Sequence, residues 1–168
     1  MGRTVRAALL QTDWTGDKGT MIDKHEAQAR EAAKQGAQVM CFQELFYGPY
    51  FCQVQEPEYY SYTEPIPDGP TTKRFQALAK ELGMVLVLPM YEIVQAGLYY
   101  NTAAVIDADG KYLGKYRKQH IPQVKGFWEK YYFTPGTGGY PILILLSAKS
   151  VFTFATTDTF QKVGARSD

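Results

Sequence analysis

Three ionisable residues stand in settings where they could act on a carbonyl group. Glu44 lies in the stretch CFQELF, Lys118 in GKYRKQHIP and Glu129 in GFWEKYYFTPG. A carboxylate can serve as a general base, and an ammonium group can stabilise an oxyanion. Taken singly, each residue has an ordinary alternative: a solvated strand end for Glu44, a solvated basic run for Lys118, and a surface pair with Lys130 for Glu129.

The elements next to these residues predict how they are positioned. Residues 39–42 form an apolar run that predicts a buried strand, with the first glutamate at its C-terminal end. Residues 99–106 and 112–117 predict a hairpin around the turn DADG at 107–110. This hairpin ends at Lys118, and a basic, aromatic loop then leads to the second glutamate.

The rest of the chain supplies further strands and helices in alternation. The sequence predicts buried strands at 6–11 and 84–92. It also predicts a helix capped by Thr20 and stopped by Gly36, and a helix capped by Thr71 and closed by Gly83. Residues 47–66 are rich in aromatic residues and proline, which predicts a long but packed loop. The order β-α-β-loop-α-β-β-β predicts a layered α/β fold in one domain.

Composition excludes several classes of function. A net charge of +1 in 168 residues gives no basis for binding nucleic acid or an acidic membrane surface. The apolar run near the N-terminus is too short for a signal peptide or a spanning helix. The two cysteines, Cys41 and Cys52, are too few for a disulfide framework, so we expect a reduced, cytoplasmic protein. Because the chain has no CxxC or HExxH spacing, we expect no metal.

Taken in order, CFQELF, GKYRKQHIP and GFWEKYYFTPG resemble the nitrilase superfamily, the carbon–nitrogen hydrolases. FYGPYFCQ and the hairpin DADGKYLGKYRK resemble its branch that cleaves N-carbamoyl compounds. The resemblance covers residues 4–141, which it identifies as the N-terminal part of the hydrolase domain. It implies an αββα sandwich, here truncated to roughly its first half, and no organic cofactor.

The resemblance also implies roles for individual residues. A thiol attacks the carbonyl, Glu44 serves as its general base, Lys118 stabilises the oxyanion, and Glu129 positions the substrate and the lysine. Tyr50, Asn101 and His120 are candidate substrate-binding residues, although aromatic packing and turn or loop hydrogen bonds explain them equally well. A thiol–histidine dyad of Cys52 with His120 is a further alternative.

The resemblance breaks where the family supplies its nucleophile. Residues 142–163 contain no cysteine, and we interpret them as an aberrant segment that replaces the nucleophile strand. If the coding sequence is read one nucleotide earlier, residues 151–163 can become VYICYDRHFPEG, a family-like stretch. Residues 164–168 then resume the family register, and the family's cysteine falls at Ala155. This frame-shift is a hypothesis that DNA sequencing tests.

Two functions from different classes follow from these observations. The first is hydrolysis of a small N-carbamoyl amine, β-ureido acid or amide by a Glu-Lys-Cys mechanism, with this copy inactive for want of the thiol. The second is a catalytically dead fragment that docks onto a full-length relative through an uncovered face of its sheet. The resemblance implies homo-oligomers for the full-length family, through surfaces that this chain mostly lacks.

Overall fold

The computed structural model describes residues 4–138 and the backbone of two further strands at 142–145 and 150–153. Strands and helices alternate along the first half, as the sequence predicts, and a three-stranded antiparallel unit follows. The elements are β1 (Ala7–Leu9), α1 (Lys18–Lys34), β2 (Val39–Cys41), α2 (Pro70–Leu82), β3 (Val85–Gln95), β4 (Leu98–Ile106), β5 (Tyr112–Arg117), α3 (Glu129–Tyr132), β6 (Ile142–Leu145) and β7 (Ser150–Thr153).

The first five strands form one mixed sheet in the order β1-β2-β3-β4-β5. β1, β2 and β3 run parallel, whereas β3, β4 and β5 are antiparallel neighbours. The end of β2, the start of β4 and the end of β5 therefore lie at the same edge of the sheet. That edge is where the residues predicted to do chemistry should meet. β6 and β7 pair with each other in an antiparallel ladder.

The helix starts differ from the predicted ones by two or three residues. Asp17, not Thr20, caps α1, since its carboxylate accepts the backbone N–H of Thr20 at 2.9 Å. α2 begins after Gly69, and Thr71 instead bonds through its hydroxyl to Glu64 at 2.6 Å. Both errors arise because several residues in each segment have the chemistry of a cap. The end of α2 is as predicted, with a glycine in the left-handed conformation after Leu82.

One face of the sheet packs against both long helices. The shared core includes Met40, Leu86 and Ile106 from the strands and Ile22 and Phe75 from the helices. Burial of these side chains is the main stabilising term for such a layered domain.

The opposite face is not uncovered, contrary to the sequence-based expectation. Four valines on it (Val39, Val85, Val87 and Val105) are each 3% exposed or less, and they form one cluster with partly buried apolar neighbours. The strand predicted to be buried at 6–11 is only half-buried: Ala8 and Leu10 pack against the core, whereas the residues between and beside them are exposed. Among the described strands β1 pairs with β2 alone, which places it at the edge of the sheet, and Leu9 is 86% exposed.

The aromatic loop is packed, as its composition predicts. It contains two 3-10 helices, Phe51–Gln53 and Pro57–Tyr62. The ring of Phe51 lies edge-on to that of Tyr132, with the centroids 4.8 Å apart, so the loop rests on α3. No helix in the described part of the chain is long and apolar enough to cross a bilayer.

Candidate active site

Lys118 lies between two glutamates that are distant from it in sequence. Its Nζ is 3.0 Å from Oε1 of Glu44 and 2.9 and 2.8 Å from the two carboxylate oxygens of Glu129. The side chains of Lys118 and Glu129 are 9% and 2% exposed, whereas that of Glu44 is 37% exposed. The structure thus brings together the three residues that the sequence singles out, and only one carboxylate is open to solvent.

The end of β5 holds Lys118 in place through its backbone. Its N–H donates to the carbonyl of Asn101 on β4 at 2.8 Å, and its own carbonyl accepts the N–H of Gly136 at 2.8 Å. Neighbouring backbone on both sides therefore fixes where the ammonium group can reach.

Glu44 follows β2 at a turn that the sequence does not reveal. The next residue, Leu45, has φ of +52° although it is not glycine, and its side chain is buried. A branched residue in the left-handed region is uncommon and costs free energy, so the surrounding packing must impose it. The side-chain amide of Asn101 donates to Oε1 of Glu44 at 2.6 Å.

The exposed side of Glu44 faces an open cavity of about 540 Å³. Its lining comes from the ends of β1 and β2 and the start of the aromatic loop, and includes Thr12, Cys41, Gln43 and Tyr50. Gln43 ties two of these segments together, because its side-chain oxygen accepts the N–H of Thr12 at 2.7 Å. Its position just before a site glutamate is the signal that could have identified it.

Glu129 is the first residue of α3, and the aromatic loop holds it there. The hydroxyl of Tyr50 donates to its Oε1 at 2.7 Å. The N–H of Trp128 donates to the carbonyl of Cys52 at 2.7 Å, and the hydroxyl of Tyr60 donates to the carbonyl of Tyr131 at 2.7 Å. These bonds join α3 to a loop about 75 residues earlier in the chain, as their sequence separations of 79 and 71 indicate.

Burial and charge oppose each other at the centre of the site. Burial alone would lower the pKa of Lys118, but Glu44 and Glu129 outweigh it and raise that pKa above its ordinary value. Burial raises the pKa of Glu129, against the hydrogen bonds from Lys118 and Tyr50. The lysine is therefore held as a cation, which is the form that can stabilise an oxyanion.

Neither cysteine resembles an activated nucleophile. Cys52 is fully buried, and burial, followed by the charges of Glu129 and Glu44, raises the pKa of its thiol far above the ordinary value. Burial also raises the pKa of Cys41. Thiolates of reactive cysteines require the opposite shift.

His120 is exposed and stands apart from the hydrogen-bonded network of Lys118, Glu44 and Glu129. Within the described residues, no hydrogen bond joins it to Cys52, so nothing supports the dyad. Its role in substrate binding stays a prediction. Tyr50 and Asn101, by contrast, each bond directly to one of the two glutamates.

Ala155, most of the segment 142–163 and residues 164–168 lie outside the described residues. In the part of the chain that is described, no three His, Cys, Asp or Glu side chains are grouped so that they could hold a metal ion.

Two carboxylates around a buried lysine, at one end of a sheet that packs against two helices, are the arrangement that the sequence motifs predict for the nitrilase superfamily. A model of the family described as carbon–nitrogen hydrolase matches residues 6–165, and the chain belongs to this family. The matched range extends beyond residue 141, up to which the sequence motifs follow the family pattern.

Individual members of the family show which proteins the chain is similar to. An N-carbamoylputrescine amidase of Solanum lycopersicum is 44% identical over 88% of this chain and 49% of its own length. A beta-ureidopropionase of Arabidopsis thaliana is 33% identical over 83% of this chain and 36% of its own. The crystal structure of a carbon–nitrogen hydrolase from Helicobacter pylori G27 superimposes with a TM-score of 0.76 at 33% identity, over 84% of this chain and 48% of that one. The chain thus spans about half the length of the curated relatives it matches, or less.

Proposed function

We propose that this chain carries the Glu-Lys-Glu part of a thiol amidohydrolase site for N-carbamoyl amines or β-ureido acids. One observation carries the proposal: a buried ammonium group, Lys118, lies within 3.0 Å of two carboxylates beside an open cavity. Ionisable groups that perturb one another's pKa values beside a cleft are typical of functional sites.

Glu44 is suited to the part of the general base. It alone of the two carboxylates combines contact with Lys118 and exposure to the cavity, so it could take a proton from an attacking thiol and later from water. The amide of Asn101 orients it.

Lys118 is suited to stabilising the tetrahedral oxyanion, since the two glutamates hold it as a cation. Glu129 is too buried to reach a substrate freely, and its two contacts with Lys118 favour a positioning role. The products of the full reaction on an N-carbamoyl substrate would be an amine, ammonia and carbon dioxide.

The substrate class is supported by two relatives, whose names specify N-carbamoylputrescine and beta-ureidopropionate chemistry. The missing step is the nucleophilic one. We place the family's cysteine at Ala155. The two cysteines of the sequence are a poor substitute, because Cys52 is buried, Cys41 is partly buried, and burial raises the pKa of both thiols. We therefore propose that the isolated chain does not turn over substrate.

The test measures ammonia release by the purified 168-residue chain from N-carbamoylputrescine and from β-ureidopropionate, beside the Glu44→Ala variant. We expect no difference between the two proteins. Turnover by the wild type that Glu44→Ala abolishes would disprove the inactivity and support the assigned base. Binding of the same compounds is measured in parallel by calorimetry with Lys118→Ala. Binding with the same affinity in wild type and Lys118→Ala would indicate an unrelated binding module.

Sequencing of the gene across the codons for residues 139–168 tests the origin of the missing thiol. A corrected frame that encodes cysteine at the position of Ala155 would give the full Glu-Lys-Cys set. A confirmed frame would leave the chain without its nucleophile.

The alternative is a catalytically dead fragment that acts as an interaction partner of a full-length relative. The exposed edge strand favours it, because Leu9 is 86% exposed on β1, and β1 pairs only with β2 in the described sheet. Co-purification with such a relative would support this function, and a clean monomer on size-exclusion chromatography would count against it.

A further inference from the structure

A second buried polar cluster lies around Glu92, on the face of the sheet opposite to the candidate active site. Glu92 on β3 is 1% exposed and accepts four hydrogen bonds. Arg117 donates through Nε at 2.8 Å and through Nη2 at 2.7 Å, Lys115 donates at 2.5 Å, and the hydroxyl of Thr102 donates at 2.8 Å. The proposed chemistry uses none of these groups.

The carboxylate of Glu92 is ionised, and several hydrogen bonds hold the groups around it in place. Burial alone would raise the pKa of Glu92, but the hydrogen bonds from Arg117, Lys115 and Thr102 hold it below its ordinary value. The guanidinium of Arg117 also lies 4.0 Å above the ring of Tyr100, and Lys115 donates to the carbonyl of Ile66 at 2.8 Å. Bidentate pairing of arginine with a carboxylate fixes orientation as well as distance.

Two pairs of adjacent residues join this cluster to the active site. On β4, Thr102 bonds to the buried carboxylate, whereas its neighbour Asn101 bonds to Glu44. At the end of β5, Arg117 bonds to the same buried carboxylate, whereas its neighbour Lys118 bonds to Glu44. Successive side chains on a strand point to opposite faces, so the two polar clusters lie back to back across the sheet.

We infer that Glu92 is a positioning residue for Lys118, acting through Arg117 and Thr102. By holding one side chain of each adjacent pair, it fixes the rotation of β4 and β5 and so directs Asn101 and Lys118 toward Glu44. The inference rests on the proposed function of Lys118, but it concerns the geometry of the ammonium group and not turnover.

The test compares two charge-conserving substitutions of buried glutamates. Glu92→Asp shortens the carboxylate that holds the cluster. Glu64→Asp is the matched control, because Glu64 is 4% exposed and its side chain is similarly held, by Lys18 at 2.8 Å and by Thr71. In the described part of the chain its side chain bonds to neither β4 nor β5. Its backbone pairs with β3 at Glu92, so this control also reports any loosening of β3 itself. The readout is proton exchange of the Lys118 ammonium group in protein with 15N-labelled lysine, assigned with Lys118→Arg.

We expect slow ammonium exchange in the wild type, since the group is buried and bound to two carboxylates. Glu92→Asp should accelerate it about tenfold, equivalent to weakening the ion pairs by about 1.4 kcal/mol. Glu64→Asp should leave the rate unchanged although it destabilises the fold. Arg117→Lys, which keeps the charge but loses the bidentate contact, should act like Glu92→Asp.

The outcomes separate the inference from the proposed function. Slow exchange in the wild type and in both cluster variants would overturn the positioning role alone. Fast exchange already in the wild type would contradict the geometry of the site, and the proposed function with it. Equal acceleration by Glu64→Asp would reduce the effect to general loosening and overturn the inference. If neither cluster variant folds, the cluster serves stability and the inference also fails.

Discussion

Lys118 and Glu129 form a bidentate ion pair, with the ammonium group 2.9 and 2.8 Å from the two carboxylate oxygens, and both side chains are less than a tenth exposed. Desolvating two charges is costly, and only good geometry and additional hydrogen bonds compensate for it. Here Glu44 supplies a further contact to the lysine and Tyr50 one to the carboxylate.

Substituting one member of this pair should therefore lower the free energy of unfolding more than replacing both members by apolar residues. Glu129→Gln should lower the free energy of unfolding by about 3 kcal/mol, because it leaves a buried cation with a single charged partner. The double substitution Lys118→Met with Glu129→Leu should lower it by less than Glu129→Gln alone, because it leaves no unpaired charge buried at these two positions. Urea unfolding measures the free energy of unfolding of each variant. Glu58 is exposed, so Glu58→Gln serves as the control and should lie within about 0.5 kcal/mol of wild type. A wild-type stability for Glu129→Gln would contradict the structure.

His25 should make the fold sensitive to mild acid. The side chain is fully buried between the rings of Phe42 and Phe46, its Nδ1 lies 2.9 Å from the carbonyl of Met21, and its Nε2 has no partner in the described part of the chain. Burial lowers its pKa below the ordinary 6.5, opposed by the Met21 carbonyl and aided by the charge of Lys24.

Because the folded chain resists a proton that the unfolded chain accepts, stability should fall as pH drops below 6.5. The slope contributed by this one group cannot exceed about 1.4 kcal/mol per pH unit. His25→Phe should remove the contribution of this residue, so urea unfolding of both proteins at pH 7.5 and 5.5 should show a smaller difference for the variant. Equal differences would mean that His25 is protonated within the fold.

The backbone at Leu45 predicts an inverted order of two substitutions. Leu45→Ala should cost about 3 kcal/mol, through the cavity it leaves next to the aromatic loop. Leu45→Gly should cost about 1 kcal/mol less than Leu45→Ala, because glycine adopts a φ of +52° without strain.

Leu78 in α2 supplies the matched control for this comparison. It is also buried but lies in regular helix, so Leu78→Gly should be about 1 kcal/mol worse than Leu78→Ala. Urea unfolding of the four variants gives the comparison. The same order at both positions would show that the left-handed turn after Glu44 carries no strain.

Leu45 also marks the limit of what the sequence could predict. Strands and helices follow local periodicity, so their order and most of their bounds were predictable from the sequence. The convergence of Glu44, Lys118 and Glu129 was predictable only because three motifs occur together in order, since the contacts join residues 74 and 11 positions apart. No local pattern indicates a left-handed leucine or the ion pairs that hold a buried Glu92. These features depend on tertiary packing, which overrides local preference.

Gly136 should be indispensable for the approach of backbone to Lys118. Its N–H donates to the carbonyl of Lys118 at 2.8 Å, and a Cβ at this position would collide with the carbonyl oxygen of Arg117 and lie 2.7 Å from its Cβ. Gly136→Ala should therefore cost about 3 kcal/mol in urea unfolding, since the clash involves backbone that cannot move without shifting β5. It should also accelerate exchange of the Lys118 ammonium group.

Gly138→Ala is the matched control, because nothing lies within 4 Å of a Cβ there, and it should change stability by less than about 0.5 kcal/mol. Equal stability of the two alanine variants would mean that the loop after α3 does not hold the end of β5, and that Lys118 owes its position to the strands alone.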